Sequence, residues 1–330
     1  MPAIPNFINR YLGKEQPKPP PPISTGTAAA LLVIYTLIYV VPFYLSSTTR
    51  PSRTLSRDAP SVIRARITSV SLTCVVCSLI TYVILTSQGQ ATTGEALHSM
   101  GYWPLGLVET ARSLLLTAIL FSGPLYETLL VDGAWRQWLS LYPVASVFSE
   151  WTRWRNFIAG PFTEEVLFRS ASVPLMLVAQ TPVSRTIFLS PVIFGLAHFH
   201  HFYEFRVTHP HIPVSTGLLN SLFQLSYTSL FGAYATFLFL RTGSLLAIFA
   251  VHAFCNVMGL PRLWGRVEPW YNVDGAEGSD DAGKAGSKGR RPSILWSVVY
   301  YVLLVAGAVG WWKNLGTLTT STNALVTMKI

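Results

Sequence analysis

Apolar residues gather into long runs near 26 to 47, 67 to 87, 106 to 131, 158 to 180, 183 to 203, 216 to 240, 244 to 260 and 294 to 312. A helix needs about 20 such residues to cross a bilayer, so the pattern predicts an all-α, polytopic membrane bundle of about eight transmembrane helices. The stretch Trp138 to Trp151 is apolar and aromatic but short, and Pro143 interrupts it; it predicts an interfacial or re-entrant segment. Residues 1 to 25 are Pro-rich without an apolar signal region, and Asn272 to Arg291 is rich in Gly, Asp, Ser and Lys. The first reads as a tail and the second as a disordered loop, leaving 26 to 330 as a single transmembrane domain.

Against this pattern the polar positions inside apolar runs stand out. Glu164, Glu165 and Arg169 fall in the segment Gly160 to Arg169, and each would cost about 2.5–3.5 kcal/mol at the centre of a lipid-exposed helix. They must face a cavity or one another. Glu165 and Arg169 are four apart and can pair, which leaves Glu164, about 100° round the helix, without a sequence-local partner. Pro161 suits a first helical turn and Thr163 can satisfy an early backbone donor, so the carboxylates are expected near a helix N-terminus.

Further pairs share helix faces at the same four-residue spacing: Phe194 with His198, His252 with Asn256, and Asn220 with Gln224. The last is expected to hydrogen-bond between helices, whereas His200 and His201, at the end of their run, are expected in solvent. Glu164, His198, His252 and Asn256 can converge below one face of the bundle. A carboxylate, two imidazoles and an amide in an intramembrane polar cavity are the parts for water activation and oxyanion stabilisation in acyl transfer. Cys74 and Cys77 form a CxxC inside a lipid-length helix without histidine, and are read as small packing residues.

Composition agrees with the membrane reading: 50% of the 330 residues are hydrophobic and 12% charged, with a mean hydropathy of +0.40. The net charge of +9 resides mostly in loops, where it sets orientation against anionic lipid and does not indicate a nucleic-acid partner. Loops after the first, third, fifth and seventh runs carry a roughly twofold Lys/Arg excess over the other loops and tails, which predicts that they are cytosolic. With an even number of crossings both tails would be lumenal.

Glu164-Glu165-x-x-x-Arg169, Phe194-x-x-x-His198 and His252-x-x-x-Asn256 resemble, in order, the three motifs of the CAAX protease and bacteriocin-processing family of membrane glutamic proteases. The flanking Arg155-Asn156, Ala159 to Thr163 and Trp103-Pro104-Leu105-Gly106 resemble its eukaryotic branch, the type II CAAX prenyl endopeptidases of the endoplasmic reticulum. The resemblance covers residues 100 to 260, taken as the catalytic core. It implies removal of the C-terminal aaX tripeptide from prenylated CaaX proteins, such as small GTPases, at a site opening from the lipid bilayer to the cytosol. It implies Glu164 with His198 as activators of water, His252 with Asn256 as the oxyanion site, Glu165 and Arg169 as orienting residues, and neither a metal nor another cofactor.

Three other readings fit the same residues. Glu164, His198 and His252 could ligate a zinc ion, although no HExxH is present. Cys255, three residues from His252, could be a thiol nucleophile. A transporter or membrane scaffold would also carry Glu, Arg and His in its spans, but no internal repeat supports transport.

Overall fold

A computed structural model describes residues 20 to 267 and 293 to 328, so most of the Pro-rich tail and the whole of 272 to 291 lie outside the described residues. Among the described residues every regular element is helical. Nine principal helices organise the rest: α1 (Thr25–Val40), α2 (Pro60–Ser87), α3 (Leu107–Leu120), α4 (Gly160–Glu165), α5 (Val183–Ala197), α6 (Phe199–Thr208), α7 (Val214–Thr242), α8 (Leu245–Met258) and α9 (Ile294–Leu318).

Local chemistry sets their ends. Ser24 Oγ accepts from Thr27 N at 3.0 Å to start α1, and Pro60 opens α2, where a missing N–H costs nothing. Gly243 closes α7 at φ +59°, a left-handed conformation suited to glycine, and sends its N–H to Phe239 O at 2.8 Å. Ser244 then caps α8 by accepting from Ala247 N at 3.1 Å.

The bundle is less regular than eight straight crossings. By length and composition three helical stretches, Thr25–Leu45, Pro60–Ser87 and Ile294–Leu318, qualify as spans among the described residues. A fourth is obtained if Leu107–Leu120 and Ser122–Val131, bent by 81° at Phe121, count as one. The run at 158 to 180 is helical but broken by wide π-turns at Arg155–Ala159 and Val166–Ala171, and the run at 183 to 203 breaks at His198. Trp138 to Trp151 contains short helices, Trp135–Leu139 and Tyr142–Ser149, neither long enough to cross. Their exposed Trp138, Leu139, Leu141 and Phe148 suit an interfacial position.

The exterior is apolar. Along α9, Ile294, Val298, Val302, Val305, Val309 and Trp312 are exposed at three- and four-residue steps, one continuous face for lipid. Since lipid is as apolar as these side chains, burial between helices gains little solvation energy, and association rests on close packing and interhelical hydrogen bonds. Those bonds concentrate on the segment carrying the glutamates. Thr81 on α2 meets Tyr35 Oη of α1 at 2.9 Å and donates to Ala171 O at 2.8 Å. Cys74 Sγ donates to Thr163 O at 3.2 Å, and Ser170 Oγ donates to Met100 O at 2.6 Å. Cys74 and Cys77 are both buried free thiols, in keeping with a packing role. The glutamate segment is thus clamped between α2 on one side and α8 on the other.

Candidate active site

The helical course that carries the glutamates begins at Trp151, passes through the first π-turn, and continues as α4 without a true N-terminus at Gly160. The expected N-terminal placement of the carboxylates therefore does not hold. Ala159, ahead of α4, is already helical, and the Thr163 hydroxyl donates back to Ala159 O at 2.7 Å instead of capping. A π-turn inserts one residue into the helix and rotates the residues beyond it, a common device where side chains must converge.

Glu165 points into protein. It is fully buried and accepts from Arg169 Nη1 at 2.9 Å, the pair expected from their spacing. The same oxygen lies 2.7 Å from His252 Nδ1 on α8. An ionised carboxylate can only accept, so Nδ1 carries the proton and Nε2 is turned the other way. Nε2 lies 3.9 Å from Glu164 Oε2. The guanidinium of Arg169 is 5.4 Å from the ring of Phe194 and 6.0 Å from that of Phe231, and Phe231 also packs on His252 at 4.6 Å. Phe194 packs on Phe168 with ring centroids 3.9 Å apart and planes tilted by 39°, and meets His198 edge-on at 4.9 Å. At Gly232 a Cβ would lie 2.6 Å from Pro191 Cβ and 3.0 Å from Arg169 Nη2, so glycine gives the guanidinium its room.

Register on α8 is fixed at its far end. Ser244 Oγ donates to Leu105 O at 2.7 Å and Leu245 N to Gly101 O at 2.9 Å, so the Gly101 to Leu105 stretch anchors α8 two turns before His252. One turn after His252, Asn256 Nδ2 donates to Asn156 O at 2.9 Å.

A cavity of about 470 Å³ joins these parts: Glu164, His198 and Asn256 line it, together with Tyr39 of α1 and Arg155. His252 does not itself line it, but its Nε2 faces the lining Glu164 at 3.9 Å. Glu164 and His198 share the cavity without touching one another, and the histidine facing Glu164 most closely is His252. His198 sits at the junction of α5 and α6, where the chain turns.

Four features escaped the sequence. Tyr39 and Phe231 look like any aromatic residue of a membrane helix. His200 and His201, expected in solvent, are partly buried and line the same cavity, on α6 just beyond the break at His198. Arg57 and Arg66 bring the first loop and the start of α2 to the cavity wall, where Arg155 of the first π-turn joins them. Asn220 and Gln224, expected to bond between helices, instead line a second cavity of about 530 Å³. Between the two, Glu204 receives Arg66 at 3.0 Å, His201 at 3.4 Å and Arg57 at 3.6 Å. Burial alone would raise its pKa, but the bond to His201 and the charges of Arg66 and Arg57 outweigh that and hold it at about 2.

The other chemistries fare differently. Cys255 packs against the apolar core and does not line the cavity. Glu164, His198 and His252 do not gather their donor atoms within 4.8 Å of one another; His200, His201 and Glu204 do, but Glu204 is already bound by two arginines whose charge opposes a cation.

Comparison with known proteins gives one consistent result. Residues 146–258 match the family described as type II CAAX prenyl endopeptidase Rce1-like. A probable CAAX prenyl protease 2 of Schizosaccharomyces pombe is 41% identical over 71% of this chain and 81% of its own length. CAAX prenyl protease 2 of Arabidopsis thaliana is 35% identical over 73% and 82%, and that of Homo sapiens 36% over 65% and 66%. No solved structure matches.

Proposed function

The chain belongs to the Rce1-like family of type II CAAX prenyl endopeptidases and is a membrane protease, and from that premise we propose that it removes the aaX tripeptide from prenylated CaaX proteins by glutamate-activated water. Substrates of this kind, small GTPases among them, would be met at the endoplasmic reticulum membrane, with the prenyl chain in lipid and the peptide entering from the cytosol. The observation that carries the reading is the facing of Glu164 and His252 across 3.9 Å at a cavity wall, with Glu165 and Arg169 buried behind them.

Glu164 takes a proton from water as its oxygen attacks the carbonyl carbon of the prenylated cysteine itself. The C–N bond breaks, and the same proton passes to the leaving amine. His198, which lines the same cavity, orients the water. Asn256, whose amide lines the cavity, and His252 stabilise the oxyanion. Glu165 accepts from His252 Nδ1 and fixes the ring, and Arg169 pairs with the same carboxylate oxygen. The low dielectric around buried groups makes each of these dipoles count for more than in solution.

The test uses full-length protein in liposomes with a farnesylated CaaX peptide. Wild type is expected to release the tripeptide, and Glu164→Gln, nearly the same size, to lose at least about 10²-fold in kcat while still binding peptide. Turnover by Glu164→Gln close to the wild-type rate overturns the mechanism.

A further inference from the structure

The two cavities meet at three residues that line both: Arg57, Arg66 and His201. Most charges there are already matched. Arg155 Nη1 holds Asp58 at 2.8 Å. Arg66 holds Glu204 at 3.0 Å and gives two further bonds to Thr49 O, at 3.1 and 2.8 Å. Arg57 is different. Its nearest carboxylate oxygen, 3.6 Å away, belongs to the Glu204 that Arg66 and His201 already engage. Among the described residues its guanidinium makes no hydrogen bond within 3.5 Å, and its side chain is 47% exposed.

An underused guanidinium on the wall of a cavity that also contains Glu164 calls for an anion. The proposed reaction supplies one. Three residues follow the bond that is cut, and an extended tripeptide places its terminal carboxylate about 10 Å beyond that bond. Resting on the CAAX reading, we propose that Arg57 binds the terminal carboxylate of the substrate, so that the tripeptide lies from Glu164 toward the junction of the two cavities. The planar guanidinium matches a carboxylate in a fork of two parallel bonds, which fixes the length of the peptide as well as its charge. A lipid phosphate offers the same anionic chemistry, but it would not depend on the peptide's terminus.

Two farnesylated peptides, alike except that one ends in a carboxylate and the other in a carboxamide, separate these cases in liposomes of neutral lipid. Wild type is expected to favour the acid by about tenfold or more in kcat/KM, chiefly through KM. In Arg57→Gln the acid's advantage should fall to within about twofold, and in Arg57→Lys, which keeps the charge but loses the fork, it should be partly restored. Equal cleavage of both peptides by wild type overturns the subsite. So does an Arg57→Gln protein that keeps the full preference. A loss on both peptides alike, seen only when anionic lipid is included, assigns Arg57 to a phosphate headgroup and also overturns it. Failure of wild type to cleave either peptide removes the CAAX reading itself, a result distinct from the others.

Discussion

One oxygen of Glu165 serves two donors, Arg169 from four residues along its own chain and His252 from α8. Its other oxygen and Arg169 Nη2 make no hydrogen bond, so the single carboxylate charge is what balances a guanidinium that is 1% exposed. Removing that charge leaves a buried cation unmatched, a change that costs about 3–5 kcal/mol where it has been measured in other proteins. Glu165→Gln is therefore expected to lower the thermal unfolding midpoint markedly in detergent. Glu164→Gln, at a cavity wall where the side chain is 23% exposed, should stay within about 1 kcal/mol of wild type. Equal midpoints for the two variants would mean that Glu165 is not the counter-charge of Arg169. The division of labour between adjacent glutamates comes from the helix: successive residues point about 100° apart, one to protein and one to the cavity.

Elements were legible where a local rule governs and obscure where a distant one does. The four-residue rule anticipates Glu165 with Arg169 and puts His252 and Asn256 on one face, and apolar runs anticipate α1, α2, α7, α8 and α9. The π-turns at 155 to 159 and 166 to 171 have no compositional signature, so the run at 158 to 180 reads as one plain helix. Glu165 with His252 is a contact between residues 87 apart, which no spacing within a helix can announce. The approach of α6 to the first loop and α2, through Glu204 with Arg57 and Arg66, was hidden for the same reason, and it has a consequence for pH. Glu204 on α6 is held at about 2, against about 4.3 for an unfolded glutamate. A carboxyl depressed on folding stabilises the native state above the unfolded value and loses that contribution as pH falls through the folded one. Stability should thus decline between about pH 4 and pH 2, by on the order of 3 kcal/mol from this group. Glu204→Gln should flatten the unfolding midpoint across that window; an unchanged slope would show that Arg57, Arg66 and His201 do not favour the ionised form.

For the molecule as a whole, what matters is which end of the bundle the cavity joins. The first loop and the start of α2 supply Arg57, Ile63 and Arg66 to the wall that also holds Glu164 and Asn256, and Arg155 straps that loop to the π-turn through Asp58. The cavity and the most basic loop therefore lie at one end. Basic loops remain on the cytosolic side during insertion, because moving them across the membrane is opposed by the cell's charge bias. A cytosolic mouth is what a prenylated cytosolic protein requires, since its peptide cannot cross the bilayer to reach a lumenal one. Ser61, exposed in the first turn of α2, is the place to test this. A single cysteine there, in a protein without Cys74, Cys77 and Cys255, should react with an impermeant maleimide added outside sealed microsomes, where the outer face is cytosolic. Labelling only after permeabilisation would put the cavity mouth in the lumen, and cleavage of cytosolic substrates would have no route.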